Sequence, residues 1–138
     1  MAAEGRRIVY FFVAWAFLIS LLAQVFLAGL GLFNDATWWQ THSGFGYGVV
    51  HPIGLVLIVF AAISKLPRKD LVVAIVTPVF SFLMPTFATL PAGFSFFGAL
   101  HPVSAFILFG LNVLLLVWAR DLVPPPWGRA ARTEATPA

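Results

Sequence analysis

Histidine is the residue type best suited to chemistry inside the apolar segments of this chain. The sequence contains three, His42, His51 and His101. Two of them share a motif, because residues 48–52 read Gly-Val-Val-His-Pro and residues 98–102 read Gly-Ala-Leu-His-Pro, 50 positions later. A histidine nitrogen can ligate haem iron, and two histidines on facing helices of a bundle can hold a b-type haem from both sides. The repeat therefore predicts a bis-histidine haem b site formed by His51 and His101.

The two glycines of the motif, Gly48 and Gly98, have a physical role in this hypothesis. Proline has no N–H, and its ring clashes with the carbonyl four residues earlier, which belongs to the glycine in both copies. We therefore expect a bend beside each histidine. Residues three positions apart share a helical face, so each glycine also leaves space beside its imidazole for the edge of a flat macrocycle. The predicted haem-binding residues are His101, His51, His42, Gly48 and Gly98.

The positions of the basic residues leave the partner of His101 open. His51 precedes Lys65 by 14 residues and His42 precedes it by 23, whereas His101 precedes Arg120 by 19. Because a helix rises about 1.5 Å per residue, the two candidates are mismatched in depth with His101 by similar amounts. The repeat favours His51, and His42 stays an alternative ligand.

Three other functions are compatible with the same histidines. They could hydrogen-bond across a bundle without any cofactor, or together they could bind a copper or zinc ion. As a third alternative, they could line a pigment or quinone pocket in an accessory subunit of a photosynthetic or respiratory complex. The chain has no cysteine, which excludes disulfides, iron–sulfur clusters and thiolate chemistry. It offers no nucleophile with a base and an orienting acid, so we do not expect it to be an enzyme on its own.

Four long apolar stretches must position these histidines. Hydrophobic residues make up 61% of the chain and charged residues 9%, which is typical of an integral membrane protein. A spanning helix needs about 20 apolar residues, and four spans are predicted at about 8–32, 44–64, 71–90 and 99–119. The sequence thus predicts an all-α, four-helix transmembrane bundle over residues 1–121. Residues 122–138 are predicted to be a Pro-rich, disordered cytoplasmic tail.

The basic residues predict the orientation of this bundle. All eight lie in segments that fall on one side of the membrane if the spans cross it in turn: Arg6, Arg7, Lys65, Arg68, Lys69, Arg120, Arg129 and Arg132. Lys and Arg are retained on the cytoplasmic side of a membrane. We therefore expect the chain in a bacterial cytoplasmic (inner) membrane, with both termini on the cytoplasmic side. The two tandem helical hairpins would then be parallel pseudo-repeats.

The expected partners follow from the same charge pattern. The net charge of +3 comes from residues at span ends, where they meet anionic lipid headgroups, and it does not indicate nucleic acid binding. We expect contacts with the lipid bilayer, and with other membrane subunits or a second copy of the chain.

Polar side chains are rare within the predicted spans. These segments contain no Asp, Glu, Lys or Arg, and Asp70 is expected in the short turn before the third span. Gln24 and Asn112 are expected to point into the bundle and to hydrogen-bond between helices.

A further set of residues resembles a known family. The set consists of residues 24–31, Trp39, His42, Gly46, residues 100–103 and Ala105. In this pattern the chain looks like an uncharacterised family of small bacterial four-span membrane proteins, and the likeness covers nearly everything except the tail. It implies the fold and topology, and it implies that His42 and His101, rather than His51, are the pattern's histidines. It implies no function.

Overall fold

The computed structural model describes residues 2–127, which fold into five α-helices. These are α1 (Ala3–Phe33), α2 (Trp38–Phe45), α3 (His51–Ile63), α4 (Arg68–Ala88) and α5 (Leu100–Ala119). A π-helical segment, Gly46–Val50, joins α2 to α3 without a break, and a 3₁₀ segment, Ala92–Ala99, precedes α5. The all-α prediction is confirmed for the described residues. Four helices, Ala3–Phe33, Trp38–Ile63, Arg68–Ala88 and Phe96–Ala119, are long and apolar enough to cross a membrane.

The helices pack as a ring of four. α1 and α4 each contact α3 and α5, so α3 lies diagonally opposite α5 and α1 lies diagonally opposite α4. Large side chains with at most 2% of their surface exposed fill the centre, namely Tyr10, Phe17, Leu57, Leu108 and Leu115. The outer faces carry exposed large apolar side chains such as Ile19, Phe26 and Phe106, as expected of a surface that faces lipid.

Basic residues gather at one end of the bundle, which we call the basic end. The Arg7 guanidinium donates to the backbone carbonyls of Ser64 (3.3 Å) and Lys65 (3.2 Å) in the turn between α3 and α4. The Lys69 ammonium lies 4.7 Å from the ring centroid of Trp118 near the end of α5. The start of α1, the α3–α4 turn and the end of α5 are therefore neighbours. We call the opposite end of the bundle the histidine end.

The second span begins earlier than the sequence predicted. Residues 34–43 were expected to form a loop, but α2 begins at Trp38. The Asp35 carboxylate accepts hydrogen bonds from the hydroxyl (2.6 Å) and the backbone N–H (2.8 Å) of Thr37, and this tight turn lets a helix start directly after it. The two hydrogen bonds from Thr37 also lower the pKa of Asp35. His42 consequently lies on a helix, where its depth and direction are fixed.

Asp70 was expected in a turn, and this expectation is wrong. It lies in the first turn of α4 and is only 4% exposed. Pro67 immediately precedes the helix, and a helix can begin directly after a proline, so α4 takes in the residues that the sequence suggested would be a loop. The spans therefore do contain a buried acid.

The described part of the predicted tail packs against the bundle. Val123 is 5% exposed, and the Trp127 ring contacts Phe12 of α1 edge-on with centroids 5.0 Å apart. Residues 128–138 lie outside the described residues, so the prediction of a disordered tail stays a prediction there.

Candidate functional site

The helix geometry is irregular immediately before both copies of the His-Pro motif. Before His51 the helix widens into the π-helical segment, in which the His51 N–H donates to the Gly46 carbonyl five residues back. Before His101 the chain forms the 3₁₀ segment, and α5 begins only at Leu100. Pro52 and Pro102 cannot donate to the carbonyl four residues earlier, so an α-helix cannot run regularly through either site. Such π-bulges occur frequently at functional sites.

His42 and His101 form a pair at the histidine end. Their ring centroids lie 6.3 Å apart, and the ring planes are inclined by 72°. Both side chains are half-buried. His42 comes from the second span and His101 from the fourth, which are diagonal in the ring of helices, so the pair meets across the middle of the bundle.

Each histidine of the pair is held by a neighbouring helix. His42 Nδ1 lies 3.0 Å from the carbonyl oxygen of Gln24 in α1, and His101 Nδ1 lies 3.1 Å from that of Met84 in α4. A carbonyl oxygen can only accept a hydrogen bond, so in each ring Nδ1 carries the hydrogen and donates it. In the neutral ring, Nε2 then has a free lone pair. Metal-binding histidines are oriented in the same way by a hydrogen bond from their second nitrogen.

Two glycines allow the helices around His42 to approach closely. A Cβ atom added to Gly31 would lie 2.8 Å from the Trp39 ring, and that ring contacts His42 edge-on with centroids 5.6 Å apart. A Cβ added to Gly46 would lie 2.6 Å from the Gln24 side-chain nitrogen. A side chain at position 31 would displace the Trp39 ring that contacts His42, whereas one at position 46 would displace the end of the flexible Gln24 side chain. The His-Pro motif does not predict these contacts, although both glycines belong to the residues that carry the family resemblance.

His51 lies in a different environment. Its ring contacts Tyr47 (centroids 5.2 Å apart) one turn earlier and Phe82 (4.8 Å) of α4, both edge-on. The repeat predicted that His51 pairs with His101, whereas the described contacts pair His101 with His42. Within residues 2–127 no group of three or more His, Cys, Asp or Glu residues is close enough to hold a metal ion, so the copper or zinc hypothesis with three histidines finds no support.

The two motif glycines are less closely packed than Gly31 and Gly46. Gly48 is exposed, and a Cβ added there would meet nothing within 4 Å. Gly98 is half-buried, and a Cβ there would lie 3.6 Å from the Phe87 carbonyl oxygen, an ordinary contact distance. Space is available beside Gly48, whereas Gly98 packs near the Phe87 backbone, and the role of both residues beside a macrocycle stays a prediction.

The spacing of the histidine pair suits one metal centre. The ring centroids of His42 and His101 are 6.3 Å apart, close enough for both side chains to ligate the same metal ion if their Nε2 atoms faced it. Two imidazoles whose Nδ1 atoms are already engaged with backbone carbonyls are also the donor set that a bis-histidine haem requires. The chain's residues therefore fit such a group chemically.

Comparison with known proteins yields one family match and no function. Residues 24–90 match the model of a family of unknown function (DUF6220), slightly less than half of the chain. The matched stretch includes Gln24, His42 and Met84, and it ends before His101. The match agrees with the resemblance to an uncharacterised family. No curated protein and no solved structure matches the chain.

Proposed function

We propose that this chain is an integral membrane protein that binds one b-type haem through Nε2 of His42 and of His101. The observation that carries the proposal is the matched pair of hydrogen bonds from Nδ1 to the carbonyls of Gln24 and Met84, which leaves both Nε2 lone pairs available. The basic end is cytoplasmic, because Lys and Arg are retained on that side. The site then lies in the outer half of the bundle, with both termini inside.

The haem would supply one-electron redox chemistry, and the chain's residues have separate tasks. His42 and His101 present their nitrogens from diagonal helices, and the carbonyls of Gln24 and Met84 fix the ring orientations. Trp39 packs against His42 and covers it on one side. The contacts with Gln24, Met84 and Trp39 thus hold the two proposed ligands in place.

We further propose that the two hairpins are parallel structural repeats in which His42 corresponds to His101. The hydrogen bond from His42 to Gln24 spans 18 residues, and the one from His101 to Met84 spans 17. In each case the histidine at the start of the second helix of a hairpin bonds to the first helix. This correspondence has an offset of 59 residues, whereas the sequence motif paired His51 with His101 at an offset of 50. A repeat of this kind would relate the two ligands by a twofold axis along the membrane normal.

A second function has one observation in its favour. The same two hydrogen bonds already tie each histidine to a neighbouring helix without any cofactor. A buried or half-buried bond of this type contributes about 0.5–1.5 kcal/mol to stability, so the histidines could serve as braces in a cofactor-free accessory subunit of a larger membrane complex. The two functions can be distinguished by light absorption, because only the haem-binding protein would have a Soret band.

An absorption spectrum of the full chain, purified in mild detergent from haem-replete cells, separates them. We expect a Soret band that shifts on reduction with dithionite, with one haem b per chain. A colourless preparation that is fully helical by circular dichroism would reject the haem and leave the brace.

The proposal also predicts that His51 can be replaced. In His51→Phe, the new ring keeps the edge-on contacts with Tyr47 and Phe82, and no iron ligand is removed. The Soret position and the haem content per chain should therefore equal those of the unmodified protein. If His51→Phe folds and loses its haem, the repeat-based pairing of His51 with His101 is restored and the assignment of His42 fails.

A further inference from the structure

A second polar site lies inside the bundle at the basic end, on the far side of the core from the histidines. Asn112 of α5 is fully buried, and neither its side-chain nitrogen nor its side-chain oxygen has a hydrogen-bond partner among the described residues. The hydroxyl of Ser64, also fully buried, and the Oδ2 atom of Asp70, which is 4% exposed, lack partners within residues 2–127 too. Four buried polar atoms are thus unsatisfied in one half of a small bundle.

The unsatisfied atoms can be placed relative to each other by the register of α4 against α5. Lys69 of α4 lies beside Trp118 of α5, and Met84 of α4 lies beside His101 of α5. The two helices are therefore antiparallel, and the residue numbers of a facing pair add up to about 186. Asn112 therefore faces Ala74, which is one helical turn, about 6 Å, from Asp70. Ala74 contributes only a methyl group between the amide and the carboxylate, so a bridging water molecule is the smallest partner that could join them.

Tyr10 completes this group from the opposite helix. It is 1% exposed, so its phenol lies inside the bundle. Tyr10 and Ser64 lie close to the basic end, because Arg7, three residues before Tyr10, donates to the Ser64 carbonyl. The group therefore extends inward from the aqueous surface.

Large apolar side chains close the group off from the histidine end. Phe17, Leu57 and Leu108 are at most 2% exposed, and Leu108 lies one turn beyond Asn112 toward the histidines. Water that enters from the basic end would therefore stop near Asn112, about 12 Å from Arg120 along α5.

An unpaired amide in an apolar interior is unfavourable, and more so where no water can reach it. The described part of the chain supplies no hydrogen-bond partner for this amide, and a water molecule is the smallest partner that could satisfy it. Buried waters typically make about three hydrogen bonds to polar groups of this kind. We propose that Tyr10, Ser64, Asp70 and Asn112 line a hydrated pocket that opens at the basic end and brings water, and with it exchangeable protons, to the buried carboxylate. This proposal does not depend on the haem.

Cysteine accessibility tests the pocket directly, because the chain has no cysteine of its own. Single variants Asn112→Cys, Leu108→Cys and Val113→Cys would be placed in lipid nanodiscs, which expose both faces, and treated with a small charged methanethiosulfonate. Only a thiolate reacts, and a thiolate forms in water but not in hydrocarbon, so Asn112→Cys should react at least about tenfold faster than the other two. Leu108→Cys samples the dry core, and Val113→Cys samples the lipid-facing surface at the same depth.

If Asn112→Cys reacts no faster than Val113→Cys, no water reaches that depth and the proposal is overturned. A measurement on the unmodified chain guards against a folding defect in the variant. Water-edited solid-state NMR should transfer magnetisation from water to the Asn112 side-chain amide but not to the methyl groups of Leu57. The absence of transfer to Asn112 would also refute the pocket.

Discussion

His101→Asn should abolish haem binding while the bundle stays folded. The amide nitrogen of asparagine can still donate to the Met84 carbonyl in place of Nδ1, but asparagine has no ring nitrogen to reach the iron. When a residue that hydrogen-bonds to a metal ligand is mutated, metal affinity commonly falls about 10–100-fold. Loss of the ligand itself should therefore lower haem affinity by more than about 100-fold. The measurements are the Soret absorbance per chain and the thermal midpoint of the helical circular-dichroism signal.

The matching change at the other ligand, His42→Asn, should have the same effect, since the new side-chain amide can donate to the Gln24 carbonyl. His101→Ala adds a contrast, because it removes both the ligand and the brace and should therefore also lower the thermal midpoint. A His101→Asn protein that keeps its Soret band at full intensity would exclude His101 as an iron ligand.

Gly31→Ala should destabilise the bundle, although alanine normally favours a helix. The added methyl group would lie 2.8 Å from the Trp39 ring, so either the ring or the two helices must move apart. Such overpacking costs about 1–3 kcal/mol. Because Trp39 contacts His42, we also expect the displaced ring to weaken haem binding.

Gly29→Ala is the control for this experiment, since it lies on the same helix two residues earlier. A Cβ there meets nothing within 4 Å, so only the gain in helix propensity of about 1 kcal/mol remains. The two substitutions should shift the thermal midpoint in opposite directions. A Gly31→Ala protein as stable as Gly29→Ala would mean that Trp39 does not pack against α1 as described.

Several elements of the fold were predictable from the sequence because their causes are local. Long apolar runs define the four helices, and the His-Pro motif predicts irregular helix geometry, which occurs before both His51 and His101. The expectation that Asn112 points into the bundle is confirmed by its complete burial, but the interhelical hydrogen bond predicted for it is absent among the described residues.

The contacts of the candidate site were not predictable because they depend on register between helices. The sequence motif made His51 and His101 equivalent, whereas the turn at Asp35 starts α2 early and brings His42 to His101. A shift of a few residues in the start of a helix changes which face points inward, and periodicity alone does not fix that start. Only the resemblance to an uncharacterised family favoured His42, because it rests on the whole pattern of residues around the site.

The EPR spectrum of the oxidised, full-length protein in nanodiscs tests most directly whether His42 and His101 share one haem iron. A ferric haem held by both imidazoles would be low-spin, and if the two ring planes kept their inclination of 72° its signal would be strongly anisotropic. We predict this low-spin signal at one centre per chain, with its loss in both His42→Asn and His101→Asn. A high-spin haem, or a folded protein without any haem signal, would contradict the shared ligation.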